Sequence, residues 1–173
     1  MEEFYTSLHT ESVVISGGGV HGITMYHLLW NMKQMGSFRA VKHWHGTSIG
    51  SICALCMLLS ISPDTIQPYL VDIQDKFQMT PEAMLSIPET YGMLDMNAFR
   101  TILETLIESA GILPSCTFAQ LHTITQSTLS VFACCIDTNQ TECFNHIKTP
   151  NVSVIDAIMA SCTIPVVFQI RSI

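Results

Sequence analysis

A continuous β-branched run that ends in three glycines constrains the fold of this chain more than any other feature. The run, Ser-Val-Val-Ile-Ser at residues 12–16, is typical of a central strand in a parallel sheet. Gly17, Gly18 and Gly19 end it, and residues 23–35 then have the composition of a helix that ends near Gly36. A strand, a tight glycine turn and a helix in this order predict an α/β domain built from βαβ units.

The same order of elements follows immediately downstream. Residues 40–44 predict a second strand, residues 45–50 a sharp turn, and residues 51–59 an apolar helix. Residues 44–63 are uncharged, but their apolar core is short and contains Gly, Ser and Cys. We therefore predict a buried helix there and not a transmembrane span.

The rest of the chain predicts further helices and strands. Residues 96–110 place apolar side chains on one helical face, which predicts a core helix with Asp95 as its N-cap. We also predict a short helix at 118–125, a third strand at 129–135, a segment at 142–146 that pairs with it, and a last helix at 154–161. Since no repeat or linker interrupts the sequence, we expect a single domain over residues 1–173.

The charge content limits both the surface and the partners of the chain. Only 12% of its 173 residues are charged, against about 25% in typical soluble domains. This predicts a sheet covered on both faces, a surface that meets lipid, or missing partner elements. The net charge of −7 argues against nucleic acid as a partner. The N-terminal third is mildly basic, because no Asp or Glu occurs between Ser12 and Pro63.

The cysteines and the N-terminus indicate an intracellular protein. The seven cysteines are an odd number and lie mostly in apolar runs, which is typical of reduced, buried thiols. The N-terminus is acidic and lacks the pattern of a signal peptide, so we expect a cytoplasmic protein or one peripheral to membranes. Cys53 and Cys56 lack a second ligand pair at zinc spacing, which favours core packing over a metal site. We predict neither a metal nor a cofactor.

The first glycine motif suits an anion at a helix N-terminus. Gly17-Gly18-Gly19-Val20-His21-Gly22 fits the G-x-G-x-x-G pattern of dinucleotide-binding proteins. Such proteins also carry an acidic residue about 20 positions further on, and none occurs here before Asp64. The backbone N–H groups of such a loop would equally serve as an oxyanion hole, and we favour that interpretation.

The second glycine motif predicts a serine nucleophile. Gly46-Thr47-Ser48-Ile49-Gly50 fits G-x-S-x-G, in which two glycines permit a strained turn that lifts the serine hydroxyl above the sheet. The alternative is an ordinary glycine turn with Ser48 as a helix N-cap. Its position between a strand and a helix, about 25 residues after an anion-binding loop, favours the nucleophile.

Across these motifs and two later segments, the sequence resembles the patatin-like phospholipases, in particular the short patatin-like proteins of large DNA viruses. The later segments are Phe118-Ala119-Gln120-Leu121, in the family's T-F-x-x-L position, and Asp156-Ala157-Ile158-Met159-Ala160-Ser161-Cys162-Thr163-Ile164-Pro165, in its D-A-I-x-A-S-x-x-I-P position. The resemblance implies a three-layer α/β/α fold with a mainly parallel central sheet, and hydrolysis of acyl esters of membrane lipids at a membrane interface by a Ser–Asp dyad. Ser48 would attack the ester carbonyl, and amides around Gly18 and Gly19 would hold the oxyanion.

Two residues depart from the family pattern. His21 stands where the family usually carries Lys or Arg, and it would support an oxyanion only when protonated, which weakens the site above about pH 7. The family's dyad Asp lies in an Asp-Gly motif after the segment matching 164–168, but this sequence has no Asp after Asp156 and no Asp-Gly. Asp156 itself aligns with a helix start, where we predict an N-cap role.

The missing Asp leads to a second functional hypothesis. We expect a patatin-like domain that is incomplete at its C-terminus, with an exposed apolar edge through which it could oligomerise. The alternative to a hydrolase is therefore a catalytically inactive patatin remnant that binds lipid or a protein partner.

Two further groups of side chains complete the candidate list. His43 and His45 flank Trp44 and should share one face of a strand, but a triad histidine would be expected after the serine in this fold. The apolar residues of the first helix are predicted to be core: Met25, Leu28, Leu29, Met32 and Met35.

Overall fold

The computed structural model describes residues 10–68, 92–94, 97–163 and 166–168. The strands are β1 (Ser12–Ile15), β2 (His43–Thr47), β3 (Gly92–Leu94), β4 (Thr128–Cys135), β5 (Gln140–Phe144) and β6 (Val166–Phe168). The helices are α1 (Gly22–Gln34), α2 (Ile49–Leu59), α3 (Asn97–Ser109), α4 (Phe118–Thr125) and α5 (Val154–Cys162), with a 3-10 turn at Gly19–His21 and helical residues at 63–68. The predicted N-cap Asp95 lies outside the described residues.

A four-stranded, mostly parallel sheet forms the centre of the fold. Its strand order is β1-β2-β4-β5, with β1, β2 and β4 parallel and β5 antiparallel to β4. Strands β3 and β6, which the sequence analysis did not predict as a pair, form a separate two-stranded parallel sheet. The predicted central position of β1 is wrong for the described sheet, where β1 lies at one edge and β2 has a strand on each side.

Strand β2 lies three residues later than predicted. The N–H groups of Lys42 and His43 both donate to the carbonyl oxygen of Glu11, at 2.9 and 3.0 Å, which starts the pairing with β1 only at this point. The ladder with β1 then continues to Gly46 and the ladder with β4 continues to Thr47. The predicted turn at 45–50 is therefore confined to Ser48, because pairing with β4, and up to Gly46 also with β1, holds residues 45–47 extended.

Helix α2 packs on one face of the sheet and fills the core. It contacts β1, β2 and β4, while α5 packs against β4 and α2, and α3 packs against α5. The predicted apolar face of α3 is confirmed, since Leu103, Leu106 and Ile107 are fully buried. Each such side chain contributes roughly 1.5–3 kcal/mol on burial. No described helix is both long and apolar enough to cross a membrane.

The prediction that the apolar residues of α1 form core is wrong for three of the five. Met25 and Leu29 pack partly against the core, but Leu28 and Met35 are 60% and 83% exposed, and Met32 is also exposed. Positions 28, 32 and 35 lie on the same side of a helix, and this side faces away from α2. These three residues, Leu28, Met32 and Met35, are called the α1 stripe below.

The exposure of β1 and β2 alternates along each strand. Ile15, Trp44 and Gly46 lie on the covered face, whereas Val14 is 77% exposed and His43 is exposed on the other. In the part of the chain that the structure describes, the second face of β1 and β2 therefore carries exposed side chains. Together with the α1 stripe, this exposed surface accounts for part of the low content of charged residues.

The C-terminal half follows the predicted order. Helix α4 has the predicted bounds and begins with a capping box between Thr117 and Gln120. Strand β5 pairs antiparallel with β4 but ends at Phe144, before the predicted limit of 146. All seven cysteines are free, and four of them are buried: Cys53, Cys56, Cys116 and Cys162.

Candidate active site at the elbow of Ser48

Ser48 occupies a strained turn between the end of β2 and the start of α2. Its φ and ψ are 53° and −130°, a conformation that residues other than glycine rarely adopt. The Ser48 side chain makes no capping hydrogen bond to α2. Ser48 thus holds the N-cap position of α2 but does not cap the helix with its side chain, and this strained strand–turn–helix geometry is the one that a nucleophile elbow requires.

One glycine from each motif allows close packing around the turn. A Cβ at Gly46 would lie 2.4 Å from the Gly50 carbonyl oxygen and 2.4 Å from the Ser51 Cα, both backbone atoms. A Cβ at Gly22, where α1 begins, would lie 2.0 Å from the Ile49 side chain. Glycine at these positions lets β2, α2 and α1 meet around Ser48.

The first glycine motif lies beside the serine. A Cβ at Gly17 would be 3.5 Å from the Cβ of Ser48, and Gly17, Gly18 and Gly19 are exposed. The N–H groups of Gly18 and Gly19 find no acceptor among the described residues. Val20 and His21 complete the 3-10 turn, in which the His21 N–H donates to the Gly18 carbonyl oxygen at 3.1 Å. The loop thus presents unpaired donors next to Ser48, at the N-terminus of α1.

Helix α5 supplies a contact to Ser48 that the sequence analysis missed. The Ser48 N–H donates to the Oγ of Ser161 at 2.8 Å, and this Oγ donates to the Phe132 carbonyl oxygen at 2.5 Å. Ser161 lies within the D-A-I-x-A-S-x-x-I-P segment, which was the only signal for it in the sequence.

Two more α-helical side chains lie close to the elbow. The Ser51 hydroxyl donates to the Ser48 carbonyl oxygen at 2.6 Å. The Cys162 thiol interacts with the hydroxyls of Ser48 and Ser51, and burial raises its pKa to about 12, so this thiol stays protonated at neutral pH.

Asp156 is not placed to act on Ser48. It lies in the first turn of α5 and pairs with the Arg100 guanidinium on α3. The N-cap of α5 is Ser153, whose hydroxyl accepts from the Asp156 N–H at 3.4 Å. The predicted N-cap role of Asp156 is therefore wrong, because the helix begins two residues earlier. Among the described residues, no carboxylate forms a hydrogen bond to the Ser48 hydroxyl.

His43 and His45 do share one face of β2, as predicted, but neither is hydrogen-bonded to Ser48 within the described part of the chain. The His45 ring lies 6.4 Å, centroid to centroid, from the Phe132 ring. Burial, and to a lesser degree the neighbouring His43, lowers the pKa of His45. This environment favours the neutral form of His45.

A small apolar cavity lies between α1 and α2. Its volume of about 20 Å³ is enough for a water molecule. Tyr26, Ile49, Ile52 and Cys53 are among its lining residues. Within the described ranges, no group of three or more His, Cys, Asp or Glu side chains has the geometry to hold a metal ion.

The mostly parallel sheet and the strained, serine-bearing turn between a strand and a helix define an α/β protein. The family model for patatin-like phospholipases matches residues 13–173, and the chain belongs to this family of lipid acyl hydrolases. Among curated proteins it is similar to the uncharacterized protein R571 of Acanthamoeba polyphaga mimivirus, with 22% identity over 158 residues. That match covers 90% of this chain and 52% of the viral protein, so the chain spans about half the length of this relative.

Solved structures show the same fold. The type III effector protein ExoU matches 88% of this chain with a TM-score of 0.56 and 17% identity, over 39% of the effector chain. The complex of full-length SpcU with full-length ExoU, from the type III secretion system of Pseudomonas aeruginosa, gives a TM-score of 0.58 and 16% identity. It covers 90% of this chain and 38% of the matched chain. The patatin-like α/β fold with a mainly parallel central sheet, expected from the sequence, is confirmed.

Proposed function

We propose that this chain is a serine acyl hydrolase that cleaves acyl esters of phospholipids or related membrane lipids, with Ser48 as the nucleophile. The observation that carries the proposal is the φ and ψ of Ser48, 53° and −130°, at the junction of β2 and α2. A strained backbone at this place raises the serine hydroxyl above the sheet edge, where a substrate can reach it. Membership of the patatin-like phospholipase family supports the lipid ester as substrate.

The proposed reaction has two steps. The Ser48 Oγ attacks the ester carbonyl carbon, its proton passes to a general base, and the N–H groups of Gly18 and Gly19 donate to the oxyanion. The tetrahedral intermediate collapses to an acyl-enzyme, and the alcohol leaves with a proton. Water then attacks the acyl-enzyme, which releases the fatty acid and restores Ser48.

The general base is the part of the mechanism for which the described residues offer no candidate. Asp156 is engaged by Arg100, and His43 and His45 make no hydrogen bond to Ser48. A general base contributes typically about 10²–10⁴-fold in rate. We therefore assign the base to a carboxylate from outside the described residues or from a second chain.

Labelling with a fluorophosphonate tests the nucleophile directly. Folded wild-type protein should gain the mass of one probe, mapped to Ser48 by peptide sequencing, and Ser48→Ala should gain none. Ser109→Ala, which removes a serine at the end of α3, is the matched control and should be labelled like wild type. Absence of labelling on folded wild type, or equal labelling of Ser48→Ala, would contradict the proposal.

The second candidate function is that of a catalytically inactive domain that binds lipid. The α1 stripe favours it, since Leu28, Met32 and Met35 expose apolar surface on a segment that has no acidic residue between Ser12 and Pro63. The predicted oligomerisation through an exposed C-terminal edge stays a prediction.

Liposome sedimentation separates the two candidates. If the chain only binds lipid, Ser48→Ala should sediment with phosphatidylglycerol-containing vesicles as wild type does, and fluorophosphonate should not label wild type. The double variant Leu28→Asn, Met35→Gln should stay in the supernatant. Failure of wild type to sediment with any vesicle would remove this second candidate.

A further inference from the structure

We infer that Ser161 is a positioning residue that holds the Ser48 backbone in its strained conformation; the catalytic part of this inference rests on the function proposed above. The contact joins two residues that are 113 positions apart in the chain. It runs through one hydroxyl, which accepts from the Ser48 N–H and donates to the Phe132 carbonyl oxygen.

The register of β2 and β4 shows what this hydroxyl replaces. The N–H of Thr128 donates to the Lys42 carbonyl oxygen at 2.7 Å, and Thr128 is paired with His43. The same pattern repeats every second residue in a parallel ladder, and Phe132 is paired with Thr47. In a continuing ladder, the Phe132 carbonyl oxygen would therefore accept directly from the N–H of Ser48.

At the elbow, the Ser161 hydroxyl is inserted into this ladder position. It satisfies both the Ser48 N–H and the Phe132 carbonyl while keeping them apart, so that the chain can leave the strand at Ser48. Without the hydroxyl, the Ser48 N–H and the Phe132 carbonyl oxygen would either be unpaired or form a hydrogen bond with each other. A direct hydrogen bond between them would extend β2 by one residue and relax the turn. Either change displaces the Ser48 hydroxyl from the sheet edge.

The neighbours of Ser161 agree with a role at the elbow. Ser161 is half-buried near the end of α5, and Cys162, the next residue, interacts with the hydroxyls of Ser48 and Ser51. Thr163, two positions further, has a different partner, because its hydroxyl donates to the Met159 carbonyl oxygen within the same stretch of chain. Thr163→Val thus removes a nearby hydroxyl without touching the elbow and is a matched control.

The test compares Ser161→Ala, Ser161→Thr and Thr163→Val with wild type. We expect Ser161→Ala to slow labelling of Ser48 by a fluorophosphonate about 10-fold to 100-fold, as a misplaced nucleophile does. Ser161→Thr keeps the hydroxyl and should retain most of the wild-type labelling rate. Thr163→Val should be labelled as fast as wild type. With a soluble ester, kcat should fall in Ser161→Ala while KM stays unchanged.

A second measurement does not depend on activity. Hydrogen exchange of the Ser48 amide, followed by NMR, should be slow in wild type and in Ser161→Thr and clearly faster in Ser161→Ala. If wild type is not labelled at all, the proposed function fails while the exchange data still test the positioning role. Equal exchange and equal labelling in wild type and Ser161→Ala would overturn the inference. If Ser161→Ala does not fold, Ser161→Cys replaces it, since its thiol keeps the volume but is a weak hydrogen-bonding group.

Discussion

Gly50, in the first turn of α2, lies directly against the carbonyl oxygen of Ile15 at the end of β1. A Cβ at Gly50 would come within 2.3 Å of this oxygen and 2.5 Å of the Ser16 carbonyl oxygen. Since backbone atoms cannot move aside as a flexible side chain can, this contact fixes the distance between the serine turn and the strand that leads into the glycine loop.

Replacement of Gly50 by alanine is therefore expected to destabilise the protein. The added methyl group would force α2 away from β1, and overpacking of this kind costs typically about 1–3 kcal/mol. The free energy of unfolding, measured with urea, should fall by this amount or more.

Gly18→Ala is the control for this prediction. A Cβ at Gly18 meets no atom within 4 Å, and its φ of −169° is extended. Its free energy of unfolding should stay close to that of wild type. Equal stability of the Gly50 and Gly18 variants would contradict the packing of α2 on β1.

Asp156→Asn should leave the labelling of Ser48 unchanged. Asp156 pairs with Arg100 between α5 and α3, and both side chains are partly exposed. An exposed ion pair contributes typically about 0–1 kcal/mol, so only a small loss of stability is expected. A folded Asp156→Asn variant that no longer reacts with fluorophosphonate would show that Asp156 does act on Ser48.

The stability of the fold should decrease below about pH 6.5 because of His146. Burial lowers the pKa of His146, and the ring of His122, stacked at 3.8 Å, and His43 lower it further. The unfolded chain therefore binds the proton more readily than the folded protein. The contribution of His146 is complete above the unfolded pKa and is lost as the pH falls through the lower folded pKa.

Thermal unfolding between about pH 7.5 and pH 5.5 tests this pH dependence. Wild type should lose Tm as the pH falls, and His146→Phe, which keeps a stacked ring that cannot titrate, should lose less. His27→Gln, at an exposed position on α1, should behave like wild type. The same loss of Tm in wild type and His146→Phe would contradict the role of His146.

The cysteines should react with iodoacetamide in an order set by burial. Cys134 is exposed, and hydrogen bonds with Thr138 lower the pKa of Cys135, so both thiols should be alkylated first in folded protein at about pH 8. Burial raises the pKa of Cys53 and Cys162 to about 12, so these should react only after denaturation. Peptide mass spectrometry reports the order, and early alkylation of Cys53 would contradict the packing of α2.

The local elements and the two glycine motifs were predictable from the sequence. Helix α4 and strand β4 have nearly the predicted bounds, because apolar periodicity and capping residues act over a few neighbouring positions. The turn at Ser48 was also predictable, since two glycines, a strand and a helix in fixed order leave few backbone conformations for the residue between them.

Which of these elements meet depends on how the whole chain packs. Pairing with two strands shifted β2 to His43–Thr47, the α1 stripe faces away from α2, and Asp156 pairs with Arg100 instead of capping its helix. Ser161 reaches Ser48 across 113 positions of the chain. Such contacts depend on strand register and on how helices pack on the sheet, which are properties of the whole fold and leave no periodic signal in the sequence around either residue.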